Sequence, residues 1–305
     1  MSKNEKEFLE YYKVQSDLSD PVEFAYLYDN LPDDIPSLCK IVQNTIIHFF
    51  WTTTDKNYGM SLKDIEATGR DPNKEHNQRR IEEKLATFVS IKDTPLTEPR
   101  DPIERVVGNC RDFTLLLTSI LRHKGIPSRE RSGVARYFYP PPKDFHEDHF
   151  ITEYWNEQEK RWIMIDPQID DIQRKVIKLT MDTYDIPYDQ FLGAGRSWLK
   201  LREGKIKPEQ IGVGQYTGEP YTRYKLIQDL ASLNKIEVMA WESWGICASR
   251  KELTDKEYKL LDQLAKNIAN SREPETFFEL KKLFENDSRF KIPENYKHNT
   301  STFKY

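Results

Sequence analysis

A chain of 305 residues with 31% charged and 37% hydrophobic residues can bury one large core or two small ones. Its formal net charge of −4 gives no overall electrostatic footprint for nucleic acid, and its 12% aromatic content argues against disorder. No run of about eighteen apolar residues is present to make a spanning helix. Three widely spaced cysteines do not form a disulfide framework, and the charged start from Met1 to Glu7 lacks a signal-peptide core, so a cytoplasmic protein with free thiols is expected.

Residues 1–35 are polar and aromatic, with Phe8, Tyr11 and Tyr12 as anchors. Asp33-Asp34-Ile35-Pro36 starts a helix, and Leu38, Ile41, Val42, Thr45, Ile46, Phe49 and Phe50 continue it at helical spacing. Cys39 and His48 fall in that helix as packing residues. Residues 52–75 form a loop-rich link. His76 to Val89 is expected as a second helix, with Arg79, Arg80 and Lys84 on a solvated face. Pro95, Pro99 and Pro102 stiffen the connector that follows.

Gly108-Asn109-Cys110-Arg111-Asp112-Phe113 then opens a strongly apolar helix that stops at Lys124-Gly125-Ile126-Pro127. Asn109 suits its N-cap. A cysteine in the first helical turn has its thiol pKa lowered by the helix N-terminus and lies beside backbone N–H groups able to receive an oxyanion. That polar position distinguishes Cys110 from a structural cysteine inside the Leu115–Leu121 run. Arg111 and Asp112 flank it as structural, site-shaping residues, Asp112 suiting the helix N-terminus.

A base must come from His149, His146 or His123. His123 suits a helix C-terminus as a cap, and His146 lies in a polar loop after Pro140-Pro141-Pro142. His149 opens an apolar strand, which holds an imidazole firmly. It is preferred, with His146 as substitute. Asp166, closing the strand before Pro167, is the orienter. If strands 149–155 and 161–166 form a hairpin with His149 opposite Asp166, the two side chains share a face, with a turn at 157–158 or 156–159. A one-residue slip separates them unless a bulge intervenes. Asp170 and Asp171 are the alternatives.

Beyond Asp170 the signals weaken. Asp185-Ile186-Pro187-Tyr188 is a turn. Gly193-Ala194-Gly195 and Gly212-Val213-Gly214 are loops that fit no phosphate-binding pattern. Residues 221–234, 253–270 and 274–285 are helices, Trp241-Glu242-Ser243-Trp244 is a packed corner, and the tail from Glu294 is polar and mobile.

The ordered set resembles the transglutaminase-like cysteine enzyme superfamily. The likeness rests on Gly-x-Cys-Arg-Asp with its Leu-rich continuation, on Arg122 to Arg129, on Asp148-His149-Phe150 and on Trp162-x-x-x-Asp166-Pro167. It covers about sixty residues closely, and the whole chain is similar to a bacterial group of such proteins. The resemblance implies a thioester formed from an amide, whose acyl group passes to an amine or to water. Cys110 would be the nucleophile, His149 base and acid, and Asp166 the orienter. Crosslinking members usually carry Gly-Gln-Cys-Trp where this chain has Gly108-Asn109-Cys110-Arg111, which favours hydrolysis. Paired Cys-x-x-Cys motifs and an ordered acidic loop are missing, so no metal or cofactor is expected.

The expectation is an α+β protein with a papain-like core: a cysteine-bearing helix on an antiparallel sheet, with flanking helices. Residues 1–103 would form a helical N-terminal region, 104–172 the core and 173–305 a mainly helical C-terminal region. Its substrate would be a protein or peptide amide, with no nucleic-acid or membrane partner. The competing view is a catalytically idle protein-binding module on the same fold.

Overall fold

Residues 2–249 and 251–304 are described in a computed structural model. In chain order the helices are α1 (Lys3–Tyr11), α2 (Ile35–Thr45), α3 (Leu62–Ala67), α4 (Pro72–His76), α5 (Ile81–Ile91), α6 (Cys110–His123), α7 (Asp171–Val176), α8 (Ala194–Arg202), α9 (Gly218–Leu233), α10 (Asp255–Ala269) and α11 (Pro274–Asn286). The strands are β1 (Ile46–His48), β2 (Val106–Gly108), β3 (Ser128–Tyr139), β4 (Phe145–Asn156), β5 (Arg161–Ile165), β6 (Phe191–Gly193), β7 (Ile211–Val213) and β8 (Tyr216–Thr217). The fold is α+β. The chain divides into two units, each gathered from separate stretches. One holds the residues up to Tyr11 with Arg129–Phe150 and Ile186–Asn299, the other Tyr12–Ser128, Ile151–Asp185 and the residues from Thr300 onward.

In the unit that holds the cysteine, α6 is buried on nearly every side, from Cys110 through Arg122. This accounts for its continuous apolar run: a helix enclosed all round needs no polar stripe. Leu115, Leu116, Leu117 and Ile120 pack with Leu38 and Val42 of α2, Ile81, Leu85 and Phe88 of α5, and Ile163 and Ile165 of β5. The helix stops where expected. Gly125 adopts φ +73, and the amides of Gly125 and Ile126 donate to the carbonyls of Arg122 and Leu121. The Ile151–Asn156 half of β4 pairs antiparallel with β5, and Thr152 Oγ1 donates to the Thr114 carbonyl of α6.

In the other unit β6, β3, the first half of β4, β7 and β8 follow one another across a sheet. The β3–β6 and β7–β8 pairs are antiparallel, whereas β4–β7 is parallel, so the sheet is mixed rather than purely antiparallel. More than fifty residues separate β4 from β7, which is ample for a parallel crossover. Trp198 of α8 packs with Leu226 and Leu230 of α9, Leu261 and Leu264 of α10, and Leu280 of α11. Gly195 lets α8 approach α10, because a Cβ there would lie 2.3 Å from the Ala265 carbonyl oxygen. Trp244 is buried and donates to the Phe290 carbonyl, so the aromatic corner is indeed packed.

Several expectations are corrected. The helix from Ile35 ends at Thr45. Ile46–His48, with two β-branched residues, instead pairs in parallel with Val106–Gly108, which removes His48 from the helix. The link at 52–75 contains α3 and α4, started by Ser61 with Asp64 and by Asp71 with Pro72. His76 closes α4 rather than opening a helix, and Asn77–Arg80 separate it from α5. Ala194 and Gly195, expected in a glycine loop, open α8. Gly212 and Val213 pair with Thr217 and Tyr216 rather than forming a simple loop. The tail is held at Ser301 and Phe303 by hydrogen bonds to Asn77 and Asn73.

Candidate active site

The start of α6 is built by its own sequence and by one residue from α5. Asn109 is the N-cap, with extended backbone, and its Oδ1 accepts from the Arg111 amide at 2.9 Å. Asp112 returns the favour, accepting from the Asn109 amide at 2.8 Å. Gly108 is what allows this carboxylate to fold back. A Cβ at 108 would lie 2.8 Å from Asp112 Oδ2 and 3.0 Å from the Ile46 side chain. Cys110 is therefore the first residue of a tightly capped helix, with 8% of its surface exposed.

Beneath this cap lies a buried ionic network. Arg111 Nη1 and Lys84 Nζ each stand 3.3 Å from the Asp112 carboxylate, and all three side chains are enclosed. Lys84 Nζ also donates to the carbonyls of Glu75 (2.6 Å) and Val107 (2.9 Å). The Glu75 carboxylate accepts from the Val107 amide and pairs with Arg70. Burial draws the Lys84 ammonium below the usual lysine range, opposed by Asp112 and Glu75. Lys84 is thus no part of a solvated face. The missed signal is positional: 84 falls between Ile81, Leu85 and Phe88, inside the apolar stripe of α5. A lysine there must find buried partners.

The first-turn donors can now be assigned. The Arg111 amide is taken by the Asn109 side chain, and the Asp112 amide by the Asn109 carbonyl. Arg111 itself points into the ionic network, fully buried, so it shapes the site through Asp112. The Asn109 Nδ2 amide group is buried and finds no hydrogen-bond partner among the described residues. An unfilled donor beside a cysteine at a helix start is suited to an oxygen that gains negative charge.

Asp166 belongs to the same unit and is fully buried. Its amide donates to the Thr183 carbonyl, and its Oδ1 accepts from the Gln168 amide at 2.9 Å, a side-chain turn around Pro167. The β4–β5 hairpin pairs Thr152 with Ile165 and Asn156 with Arg161 around a turn at 157–160. This register is displaced by two residues from one that sets His149 opposite Asp166. The turn therefore falls at 157–160 rather than at 157–158 or 156–159. Of the alternative acids, Asp170 caps α7 and accepts from Tyr58 Oη, while Asp171 is exposed and pairs with Lys40.

His149 lies in the other unit. It sits within β4 rather than at its start, because the strand begins at Phe145. His146 is therefore also a strand residue, aligned with Ile211 of β7, and burial draws its pKa below the usual imidazole value. The His149 ring is buried and stands edge-on to Phe138, at 5.0 Å, and to Tyr137, at 6.0 Å. Next to it Asp148 accepts from Tyr221 Oη at 2.7 Å and lies 2.6 Å from Lys225 Nζ. Two residues back on the same strand, Glu147 is pushed up to about 7, first by burial and then by Asp148. His123 closes α6 against the Tyr28 ring.

Residues 63–167 match the sequence model of the transglutaminase-like superfamily. Over that stretch the chain is similar to transglutaminase-like domains. That span contains Cys110, His149 and Asp166, and it starts within α3, well before the cysteine motif. The crystal structure of a candidate cysteine protease from Cytophaga hutchinsonii is similar at a TM-score of 0.30 and 15% identity, over 63% of this chain and 46% of that one. The present chain thus spans less than half of that protein. No curated protein matches the sequence. Among the described residues no helix is long and apolar enough to cross a membrane.

Proposed function

We propose that the transglutaminase-like domain opens amide bonds of protein or peptide substrates through a thioester on Cys110, and that water is the usual acceptor. The observation that carries this reading is the first turn of α6. Cys110 opens a doubly capped helix, and the donor group of Asn109 beside it has no partner among the described residues.

In this reading His149 takes the Cys110 proton and the thiolate attacks the amide carbonyl, forming a C–S bond. The carbonyl oxygen becomes an oxyanion, received by Asn109 Nδ2 and the Cys110 amide. Collapse breaks the C–N bond, and the amine leaves with the proton returned by the imidazolium. Water then gives a proton to His149 and attacks the thioester. The C–S bond breaks, the acid departs and the thiol is restored. Asp166 orients His149. Arg111 stands where crosslinking members usually carry a tryptophan, which favours water over an amine as the acceptor. Keeping a free thiol suits a reducing compartment, and we place the protein in the cytoplasm.

The test is the rate of iodoacetamide alkylation at each cysteine against pH, read by peptide mass spectrometry. Cys39 and Cys247 are internal controls, since burial raises both thiols, Cys247 up to about 12. Cys110 should react fast well below pH ~8, the range of an unperturbed thiol, and should lose that reactivity in His149→Ala. If Cys110 reacts no faster than the two controls at every pH, the nucleophile reading fails and an idle binding module takes its place.

A further inference from the structure

Asn73 and Asn77 stand one helical turn apart, as the second residue of α4 and its C-cap, and each holds one residue of the C-terminal tail by both backbone groups. Phe303 N–H donates to Asn73 Oδ1 at 2.9 Å, and Asn73 Nδ2 donates to the Phe303 carbonyl at 3.1 Å. Ser301 N–H donates to Asn77 Oδ1 at 2.7 Å, and Asn77 Nδ2 donates to the Ser301 carbonyl at 2.7 Å. The two pairs are alike in form. A carboxamide mimics a peptide group, and each asparagine here completes a ring of two hydrogen bonds with one residue.

The spacing makes this a reader of extended chain. Residues four apart on a helix are roughly 6 Å apart, and alternate residues of an extended strand recur at roughly 6.6 Å. In such a strand the N–H and C=O of alternate residues point to one edge. The contacts are made to backbone alone, so they do not depend on the side chains of the bound segment. Selectivity comes from one position. The Phe303 ring lies 4.9 Å from Phe50, 5.4 Å from Phe49 and 5.5 Å from His76, ring centre to ring centre. Phe303 thereby joins the cluster of Met60, Leu62 and Ile65. An aromatic side chain suits this pocket.

The resident tail does not fill the groove. Thr300 and Thr302 border an open groove of about 900 Å³ whose other walls include Gln78, Glu83, Thr87 and Ser90. Small side chains occupy positions where larger polar ones fit. Phe50, one wall of the aromatic pocket, remains 50% exposed.

We propose that Asn73, Asn77 and the Phe49–Phe50–His76 pocket form a binding site for an extended polypeptide segment of another protein, one carrying an aromatic residue at the place of Phe303. The chain's own Ser301–Phe303 is its resident occupant and competes with the incoming segment. This site is independent of the thiol chemistry proposed for Cys110. A tethered tail competes at an effective concentration on the order of millimolar, so removing its aromatic anchor should open the site.

The experiment uses the full chain and a fluorescent peptide of residues 299–305, Asn-Thr-Ser-Thr-Phe-Lys-Tyr. The peptide should bind full-length Phe303→Ala at least about tenfold more tightly than the unaltered chain. N-methylation of the peptide at Ser301 and Phe303 should reduce binding more than about tenfold, while N-methylation at Thr302 should be tolerated, because its N–H points to the other edge. Placing these changes in the peptide avoids any question of folding. In the Phe303→Ala background, Asn77→Asp keeps the acceptor, loses the donor and should also weaken binding. The proposal is overturned if the peptide fails to saturate Phe303→Ala, if both chains bind it equally, or if N-methylation at 301 and 303 has no more effect than at 302.

Discussion

Lys84 and Asp112 form a buried ion pair directly under the helix start that presents Cys110, with Nζ 3.3 Å from Oδ2. The lysine comes from α5 and the aspartate from the first turn of α6. Their pairing joins the N-terminal helices to the cysteine motif, and it explains why a glycine stands at 108. The carboxylate that caps Asn109 also neutralises Lys84, and only a residue without a Cβ leaves it room.

Removing one partner of a buried pair leaves an uncompensated charge, at a cost of about 3–5 kcal/mol. Lys84→Met leaves Asp112 with Arg111 alone and takes the donor from the Glu75 and Val107 carbonyls, so the unfolding free energy from urea titration should fall by about that amount. Adding Asp112→Asn to Lys84→Met should recover none of the loss, because the buried Arg111 guanidinium then loses the Asp112 carboxylate as well. A Lys84→Met chain within about 1 kcal/mol of the original would show the pair to be energetically idle.

Asn109 holds two roles that substitution can separate. Asn109→Ser keeps an N-cap oxygen and loses the amide donor, so stability should change by less than about 0.5 kcal/mol, while Asn109→Ala should cost about 1 kcal/mol. If Nδ2 receives the oxyanion, amide turnover should fall about 10²–10³-fold in both variants, while Cys110 alkylation persists. Full turnover by Asn109→Ser would remove Asn109 from the chemistry and leave it only a cap.

Glu147 gives the fold a pH dependence with a definite sign. Its carboxyl is pushed from 4.5 to about 7, chiefly by burial. A carboxyl with a raised native pKa favours the fold while protonated. That contribution is complete below about pH 4.5 and is lost as pH rises through about 7. The loss is on the order of 2–3 kcal/mol. Glu147→Gln should therefore melt higher than the unaltered chain at pH 8.5 and at nearly the same temperature at pH 4.5. Equal melting temperatures at both values would mean that Glu147 ionises without penalty.

Local signals were readable where they act over one helical turn. Asn109 as a cap, Cys110 as the first helical residue and the stop at Lys124-Gly125 all depend on neighbours within a few positions. The helices from 218, 255 and 274 were legible for the same reason. The break at Thr45 was not, because Ile46 and Ile47 continue a helical pattern as well as they make a strand. What decides between the two is the presence of Val106–Gly108 alongside.

Strand β3 shows the same limit more strongly. Ser128-Arg129-Glu130-Arg131-Ser132 does not resemble a buried strand, yet all five residues are buried. Asp229 of α9 takes the Arg131 guanidinium at 2.8 and 2.9 Å, Ser232 donates to Glu130, and the Ser271 carbonyl accepts from Arg129. These partners lie about a hundred or more residues further along the chain. The tail is a parallel case: a polar sequence that looks free is ordered by two asparagines more than two hundred residues away.

The amino-acid sequence alone determined the cysteine helix, its cap and its end, because capping and apolar spacing are contacts between near neighbours. The tertiary structure alone decided which charges are buried, which register the β4–β5 hairpin takes and where the tail rests. A buried lysine, a displaced ladder or a docked backbone is stable only when its partner arrives from elsewhere in the chain.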